Sequence, residues 1–481
     1  MYIGLDIGTT SISAVVLDTE TGALLAHHAV ANRAALAAGP GRAEVDLAQV
    51  QALAVDALTG IVAAAGIDGS QIRGIGMTGQ QHGVAFVDAS AAPAGPAITW
   101  QDLRVQSPMP GTQTSYLQAF VDRAGGRDAF RRMGCLPAAG FLGTTLFWLH
   151  EEDQLPAPSA IACFIPDAVA AFLTGETPRV DPTLAGSAGI FDIVSNQWDA
   201  DLLARVGLSA ELLPPIGQAG QRLGALRAEI ANKVGLPAGI PVGVAVGDNQ
   251  ASFIGSVQDP TASLLINVGT GGQISARTDE FHFIPGLENR PFPGGHYLLI
   301  GGGLFGGRSY AYLLDFFRQA GADLFHAAAD DDLYDRMTAL AAAVPAGCDG
   351  LRCSPLFTGS RVDPSLRASL TGLSPQNFTP GHVTRALLEG MAEGFHQFHT
   401  QMLPVIGERS PLVGAGNGVR RNRLLAQILA ARFGMALHVP ALSEEAAAGA
   451  AITAAVGAGE FSDLDEAMAK LLQYNEEISG K

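Results

Sequence analysis

Cysteine is scarce in this chain: Cys135, Cys163, Cys348 and Cys353 are the only four in 481 residues. That is too few for a disulfide scaffold. Cys348-x4-Cys353 has no His or Cys partners at zinc spacing, so free thiols are expected. Charge is thin as well, at 16% of residues, and lopsided: 29 Lys and Arg stand against 46 Asp and Glu, a formal net charge of −17. Such an acidic balance argues against nucleic acid or an anionic membrane as the main partner. The longest run of small residues, Ala446 to Gly459, is shorter than a membrane span. No charged-then-apolar leader precedes the first strand. A soluble, cytoplasmic protein is the expectation. Two nucleotide motifs are missing too. There is no G-x-x-x-x-G-K-[ST], hence no Walker-type loop, and no G-x-G-x-x-G after the first strand, which argues against a dinucleotide fold. With 48% hydrophobic residues the chain is globular, and its length supports two or three domains.

What the chain does have is a glycine turn used twice. Tyr2-Ile3-Gly4-Leu5-Asp6-Ile7-Gly8-Thr9-Thr10-Ser11 opens it, and Leu264-Leu265-Ile266-Asn267-Val268-Gly269-Thr270-Gly271-Gly272 repeats the logic in the second half. Each is an apolar strand ending in an acidic or amide residue, one apolar residue, then Gly-Thr. Each runs on as a second strand, Ile12–Leu17 and Gln273–Ala276. Glycine lets a ligand approach the main chain, and successive N–H groups in such a turn attract phosphate oxygens. Thr9, Thr10 and Thr270 add hydroxyl donors. Asp6 would repel a phosphate, so it is expected to act through Mg²⁺, directly or through water.

The first ~30 residues read as a three-strand meander, its third strand Ala23–Ala31, followed by a helix capped by Asp46. Further buried strands are expected over Ile72–Met77, Val84–Asp88, Pro241–Asp248 and from Pro411 into the glycine loop Gly414–Gly418; a helix follows over Asn422–Phe433. In α/β sheets ligands sit beyond the C-terminal ends of strands. Asp6, His82, Asp248, Gly269 and Gly416 all fall at such ends and can converge on one cleft.

Asp248 can accept a proton from a substrate hydroxyl, or cap the helix that follows it. Gln80-Gln81-His82-Gly83 offers amide and imidazole groups that suit sugar hydroxyls, or is a plain loop. Trp100-Gln101-Asp102-Leu103-Arg104 suits a sugar as well, although Asp102–Arg104 also reads as a structural ion pair. The cluster Gly301-Gly302-Gly303 with Gly306-Gly307 lets backbone pass near a nucleotide or forms a tight helix entry.

In order and spacing these motifs resemble those of the FGGY carbohydrate kinases, within the actin/hexokinase/Hsp70-like ATPases. Asp6–Ser11 is similar to the family's first phosphate motif and Ile266–Thr270 to its second. Gly247-Asp248-Asn249-Gln250 resembles the catalytic-base motif, Gly414–Gly418 the adenosine loop, and Glu444–Ala451 the C-terminal helix beneath the nucleotide. The resemblance implies an α/β fold of two ribonuclease H-like domains, 1–247 and 248–481, around an interdomain cleft. It implies ATP and Mg²⁺, a small sugar as substrate, and leaves a homodimer open. By this resemblance Asp248 is the base and Asp6 helps place Mg²⁺. Gly8, Thr9, Thr10, Gly269 and Thr270 hold phosphate; Gly416, Asn417 and Asn422 flank adenosine; Gln81, His82, Trp100, Asp102 and Asn249 meet the sugar.

Within the family, Thr99–Asp102 with Arg104, Gly140-Phe141 with Leu146–Leu149, Val242–Ser252, Gly381–Leu387 and the Gly416–Asn422 loop resemble the sedoheptulokinase group. That implies phosphorylation of sedoheptulose to sedoheptulose 7-phosphate, with a xylulokinase-like or other pentulose kinase as the alternative. Ketose kinases of this group usually carry Gly-Gln-Met-His-Gly; here Gln81 replaces Met, an amide in place of an apolar contact. A non-catalytic sensor of the same fold would have no need of both Asp6 and Asp248. A chaperone-type ATPase would call for a peptide-binding domain after Gly459.

Overall fold

The structure is a computed structural model that describes residues 1–157, 159–326, 332–357, 359 and 365–480. Its frame is two seven-stranded sheets built on one plan. In the first, the Tyr2–Ile7 strand pairs antiparallel with Ser11–Leu17, which pairs antiparallel with Leu24–Ala31. On its other side the first strand lies parallel to Ile75–Gly79. In the second sheet, Leu264–Val268 pairs antiparallel with Gly271–Thr278, and that strand with His296–Phe305. Leu264–Val268 likewise lies parallel to a later strand, Leu412–Ala415. The repeat seen in the turns is therefore a repeat of the whole sheet plan. Asp6 pairs with Ser13 and Thr78; its counterpart Asn267 pairs with Gln273 and Ala415.

The central strands are apolar on both faces because helices cover both. The helix Leu47–Ala65 begins at Asp46, whose carboxylate accepts from the Ala48 and Gln49 N–H groups, and ends on Gly66 in the left-handed region. It is long and apolar enough to cross a membrane by composition, but it buries Val50, Ala54, Ala57, Leu58 and Ile61 in the first domain's core.

The helix Glu445–Gly457 leaves the second sheet's chain to pack on the first sheet. A Cβ on Gly4 would run into the Ala447 carbonyl, and one on Gly76 into that of Ala450. The helix Asp248–Ile254 meets it just as closely, since a Cβ on Gly449 would strike the Ala251 carbonyl. Small residues thus let two helices and a sheet meet backbone to backbone. The core they enclose takes Tyr2 and Leu17 from the first half and Leu265 and Val413 from the second.

Three elements differ from the expected ones. The strand expected over Ile72–Met77 runs Ile75–Gly79, because Gly69–Gln71 forms a 3-10 turn closed by Ile72 N–H on the Gly69 carbonyl. Pro241–Asp248 is not one strand. It divides into Pro241–Gly243 and Val246–Gly247, each parallel to Ile75–Gly79, where Val244 and Gly220 bond backbone to backbone. The strand expected over Val84–Asp88 shortens to Ala85–Val87 and pairs outside the main sheet, with Ile161–Cys163.

Candidate active site

The two glycine turns lie at equivalent strand ends, but their glycines serve different purposes. Neither Gly8 nor Gly269 has positive φ. At Gly8 a Cβ would come within 2.6 Å of the Ser11 carbonyl, so the residue is demanded by the hairpin itself. At Gly269 a Cβ would meet no protein atom within 4 Å, so the space above that turn is open. The second turn is braced from behind: the Gly307 N–H donates to the Gly269 carbonyl at 2.8 Å and Arg308 N–H to Thr270 at 3.2 Å. Of the two roles considered for the Gly306-Gly307 pair, the helix entry is present: the pair opens the helix Gly307–Phe325.

Asp6, in the strand before the first turn, feels the charges of Asp248 and Glu444. Asp6 Oδ1 is enclosed and has no hydrogen-bond partner. Burial, with the charges of Asp248 and Glu444 nearby, raises the Asp6 carboxyl to about 7. Asp248 is the first residue of its helix, one step beyond the Val246–Gly247 strand; the capping position is Gly247, so the N-cap alternative does not hold. Its Oδ1 accepts from the Asn249 N–H at 2.8 Å. Burial raises it to about 6, against the opposing pull of that hydrogen bond and of the Arg290 guanidinium. Its carboxyl thus stands nearer neutrality than a free aspartate's, the direction that suits a general base.

An orphaned carboxylate oxygen beside a phosphate-type turn fits a divalent cation or its water. Among the described residues, no three His, Cys, Asp or Glu side chains stand together as a metal cage. That suits Mg²⁺, which keeps several waters and is held by one or two carboxylates plus substrate phosphates.

The residues expected on the sugar separate into three kinds. His82, at φ 75°, is held in the left-handed region. Its Nδ1 lies 2.9 Å from the Ser187 carbonyl, its N–H donates to Ser187 Oγ, and its ring stacks 4.1 Å from that of Phe141. A strained, over-determined histidine at a strand end is a common feature of ligand sites. Trp100, 46% exposed, donates through Nε1 to Thr9 Oγ1 at 3.0 Å, joining the sugar loop to the phosphate turn. Asn249 forms a reciprocal amide pair with Gln273, at 2.7 and 3.3 Å, and so ties the base-bearing helix to the strand after the second turn. Gln81 is nearly enclosed, with Nε2 donating to Gln250 Oε1 at 2.7 Å.

Asp102 requires a correction. It is 0% exposed, and both its oxygens are taken by the Ala43 N–H and by the Arg104 N–H, Nε and Nη2. Arg104 goes on to Glu44 at 2.6 Å and lies over the Trp148 ring. Of the two readings open in the sequence, the structure has the buried ion pair, with no oxygen left for a sugar.

On the other wall, Gly416 takes φ 81°, in the left-handed region, where a Cβ would also press on Asn267 Oδ1 at 2.6 Å. Glu445 holds this loop: its Oε1 accepts from the Gly416 N–H and from Arg420 Nη2 at 2.8 Å. Asn417 is exposed at the start of the helix Asn417–Arg421. Asn422 is buried instead, and its Oδ1 caps the helix Arg423–Phe433 on the Leu425 N–H at 3.0 Å. It shapes the loop from within rather than offering its amide outward. Tyr334, whose hydroxyl accepts from Asn422 Nδ2 at 3.4 Å, was not singled out in the sequence; nor were Arg290, Glu444 or Glu445 for these positions. No local pattern marks them, since each acts through a partner far along the chain.

Comparison with known proteins bears on the family and the fold. A family model described as "FGGY family of carbohydrate kinases, N-terminal domain" matches residues 1–255, and its C-terminal counterpart matches 264–458. The chain is 31% identical to a human sedoheptulokinase, over 94% of this chain and 96% of that one. It is 28% identical to an autoinducer-2 kinase of Photorhabdus laumondii, over 99% and 89%. The crystal structure of a xylulose kinase from Rhodospirillum rubrum superposes with a TM-score of 0.85 at 29% identity, covering 100% of this chain and 94% of that one. With its two sheets, its paired turns and both family models matched in order, the chain belongs to the FGGY family of carbohydrate kinases.

Proposed function

We propose that the chain transfers the γ-phosphoryl group of ATP to the terminal hydroxyl of a ketose, with Asp248 as the base. The observation that carries this reading is that Asp6, in the strand before a phosphate-type turn, feels the charge of Asp248, Asp6 with an unpartnered oxygen and Asp248 with its carboxyl raised to about 6. Asp248 takes the proton from the hydroxyl as its oxygen bonds to the γ-phosphorus and the bond to the β-phosphate bridging oxygen breaks, leaving ADP. A divalent cation held at Asp6 supplies charge neutralisation on the phosphates. His82, Trp100 and Asn249 orient the sugar, so that most of the catalysis is positioning. In this reading residues 1–247 bear the sugar and 248–481 the adenosine. Gly8 to Thr10 and Gly269 with Thr270 face the phosphates, and Gly416 and Asn417 border the nucleoside.

Sedoheptulose is the proposed ketose, supported by the human relative and by the segments around Trp100 and Asp248. A pentulose is the second reading, favoured by the xylulose kinase likeness. A panel of ketoses with five to seven carbons, read by ADP release, separates them. The highest kcat/KM is expected for sedoheptulose, with product phosphate on the terminal carbon. Preference for a pentulose would replace the sugar; no sugar-dependent ADP release would overturn the kinase reading.

A further inference from the structure

The Gln81 amide is not free to turn. Gln250, itself 0% exposed, lies between Gln81 and the Pro291 carbonyl, which comes from the second sheet. A proline carbonyl can only accept, so at 2.8 Å it must face the NH₂ end of Gln250. Gln250 is left presenting Oε1, which in turn obliges Gln81 to present its own NH₂ at 2.7 Å. Reversing either amide would set two carbonyl oxygens, or two NH₂ groups, against each other in a buried site. The start of this chain is itself fixed. Arg290 donates to the Gly186 carbonyl at 3.0 Å and Asn289 N–H to Gly134 at 2.8 Å, docking the Glu288–Phe292 strand on the first domain. The pair also packs against Gly247, the residue before the base: a Cβ there would collide with Gln81 Nε2 and Gln250 Oε1.

The consequence falls on the other end of Gln81. Among the described residues its Oε1 has no protein donor, and it is not one of the enclosed orphan atoms, so it reaches the solvent from an amide packed on Gly247, the residue before Asp248. We propose that Gln250, working from the Pro291 carbonyl, fixes the Gln81 amide with its carbonyl oxygen outward, an acceptor that selects ketoses bearing a hydroxyl at that point over those lacking it. Gln250 is thus a positioning residue and Gln81 the residue that reads specificity. The inference rests on the sugar side of the proposed function. A site built to bond a hydroxyl rejects the analogue lacking it because a polar group is left unpaired, whereas an apolar contact discriminates weakly.

The test compares the preferred ketose with its monodeoxy analogues, by calorimetric binding and by ADP release, in wild type, Gln81→Met, Gln250→Leu and the double variant. Wild type is expected to disfavour one analogue by roughly tenfold or more. Gln81→Met should bring that ratio near one. Gln250→Leu, which leaves Gln81 and Asp248 in place, should lower it as well, and the double variant should fall no further than Gln81→Met alone. A purely structural Gln250 would cut stability and turnover while leaving the ratio intact, and that result would overturn the inference. So would a wild type that treats every analogue like the parent. Sugar binding without ADP release would sink the kinase reading while the binding ratios still decide this one; absence of any sugar binding would sink both.

Discussion

At the residue scale, burial divides the charged groups into those that hold the fold and those that face the cleft. Asp102 and Asp248 look alike in sequence, each a lone acid in a stretch with sugar-site character. Asp102 has every oxygen matched by Arg104 or by the Ala43 N–H, whereas Asp248 has one backbone donor and a raised carboxyl. The sequence could not separate them, because the partner of Asp102 stands two residues away and fits a pair or a site equally well. Breaking a buried ion pair leaves an uncompensated charge and costs about 3–5 kcal/mol. Arg104 keeps Glu44 in Asp102→Ala, so a smaller loss is expected, about 1–3 kcal/mol of unfolding free energy for the buried donors left unpaired, read by urea titration. A variant as stable as wild type, with only a raised KM for sugar, would return Asp102 to the sugar site.

At the element scale, the strand ends were legible because a short apolar run closed by one polar residue and a glycine leaves few alternatives. Asp6, Asn267 and Gly416 all stand where that pattern puts them. The break after Gly243 was not legible, since Val242–Val246 is uniformly apolar and it is the bonds of Val244 to Gly220 and Gln221 that interrupt pairing. The Glu445–Gly457 helix shows the same limit. Its Ala/Gly composition signals close packing, but the surface it meets, Gly4 and Gly76 of the opposite half, is set by tertiary structure. Gly76→Ala places a methyl against the Ala450 carbonyl, where backbone meets backbone and neither can yield cheaply. Overpacking of this kind costs about 1–3 kcal/mol, and a matching loss in denaturant midpoint is expected. A midpoint within experimental error of wild type would show that the helix does not rest on the strand so closely.

At the scale of the whole molecule, the duplicated sheet plan makes a junction, and polar links cross it at the site. Arg290 reaches Gly186 and the Tyr297 hydroxyl reaches the Ile193 carbonyl across it, while Asn249 and Gln250, just past the boundary, tie their helix to Gln273 and Pro291 of the second sheet. The helix that begins at Asp248 carries two of these links, so the base sits where the two halves are joined. The account turns on that residue. Its most direct test is Asp248→Asn, measured for nucleotide binding by calorimetry and for ketose-dependent ADP release across pH. Nucleotide affinity should hold within a few-fold while kcat/KM falls by roughly 10²–10⁴-fold. A base must be ionised to accept a proton, so the wild-type rate should also decline as pH drops through about 6, a contribution the variant should lose while keeping that of Asp6. A variant that turns over within tenfold of wild type, with the same acid limb, would contradict the account.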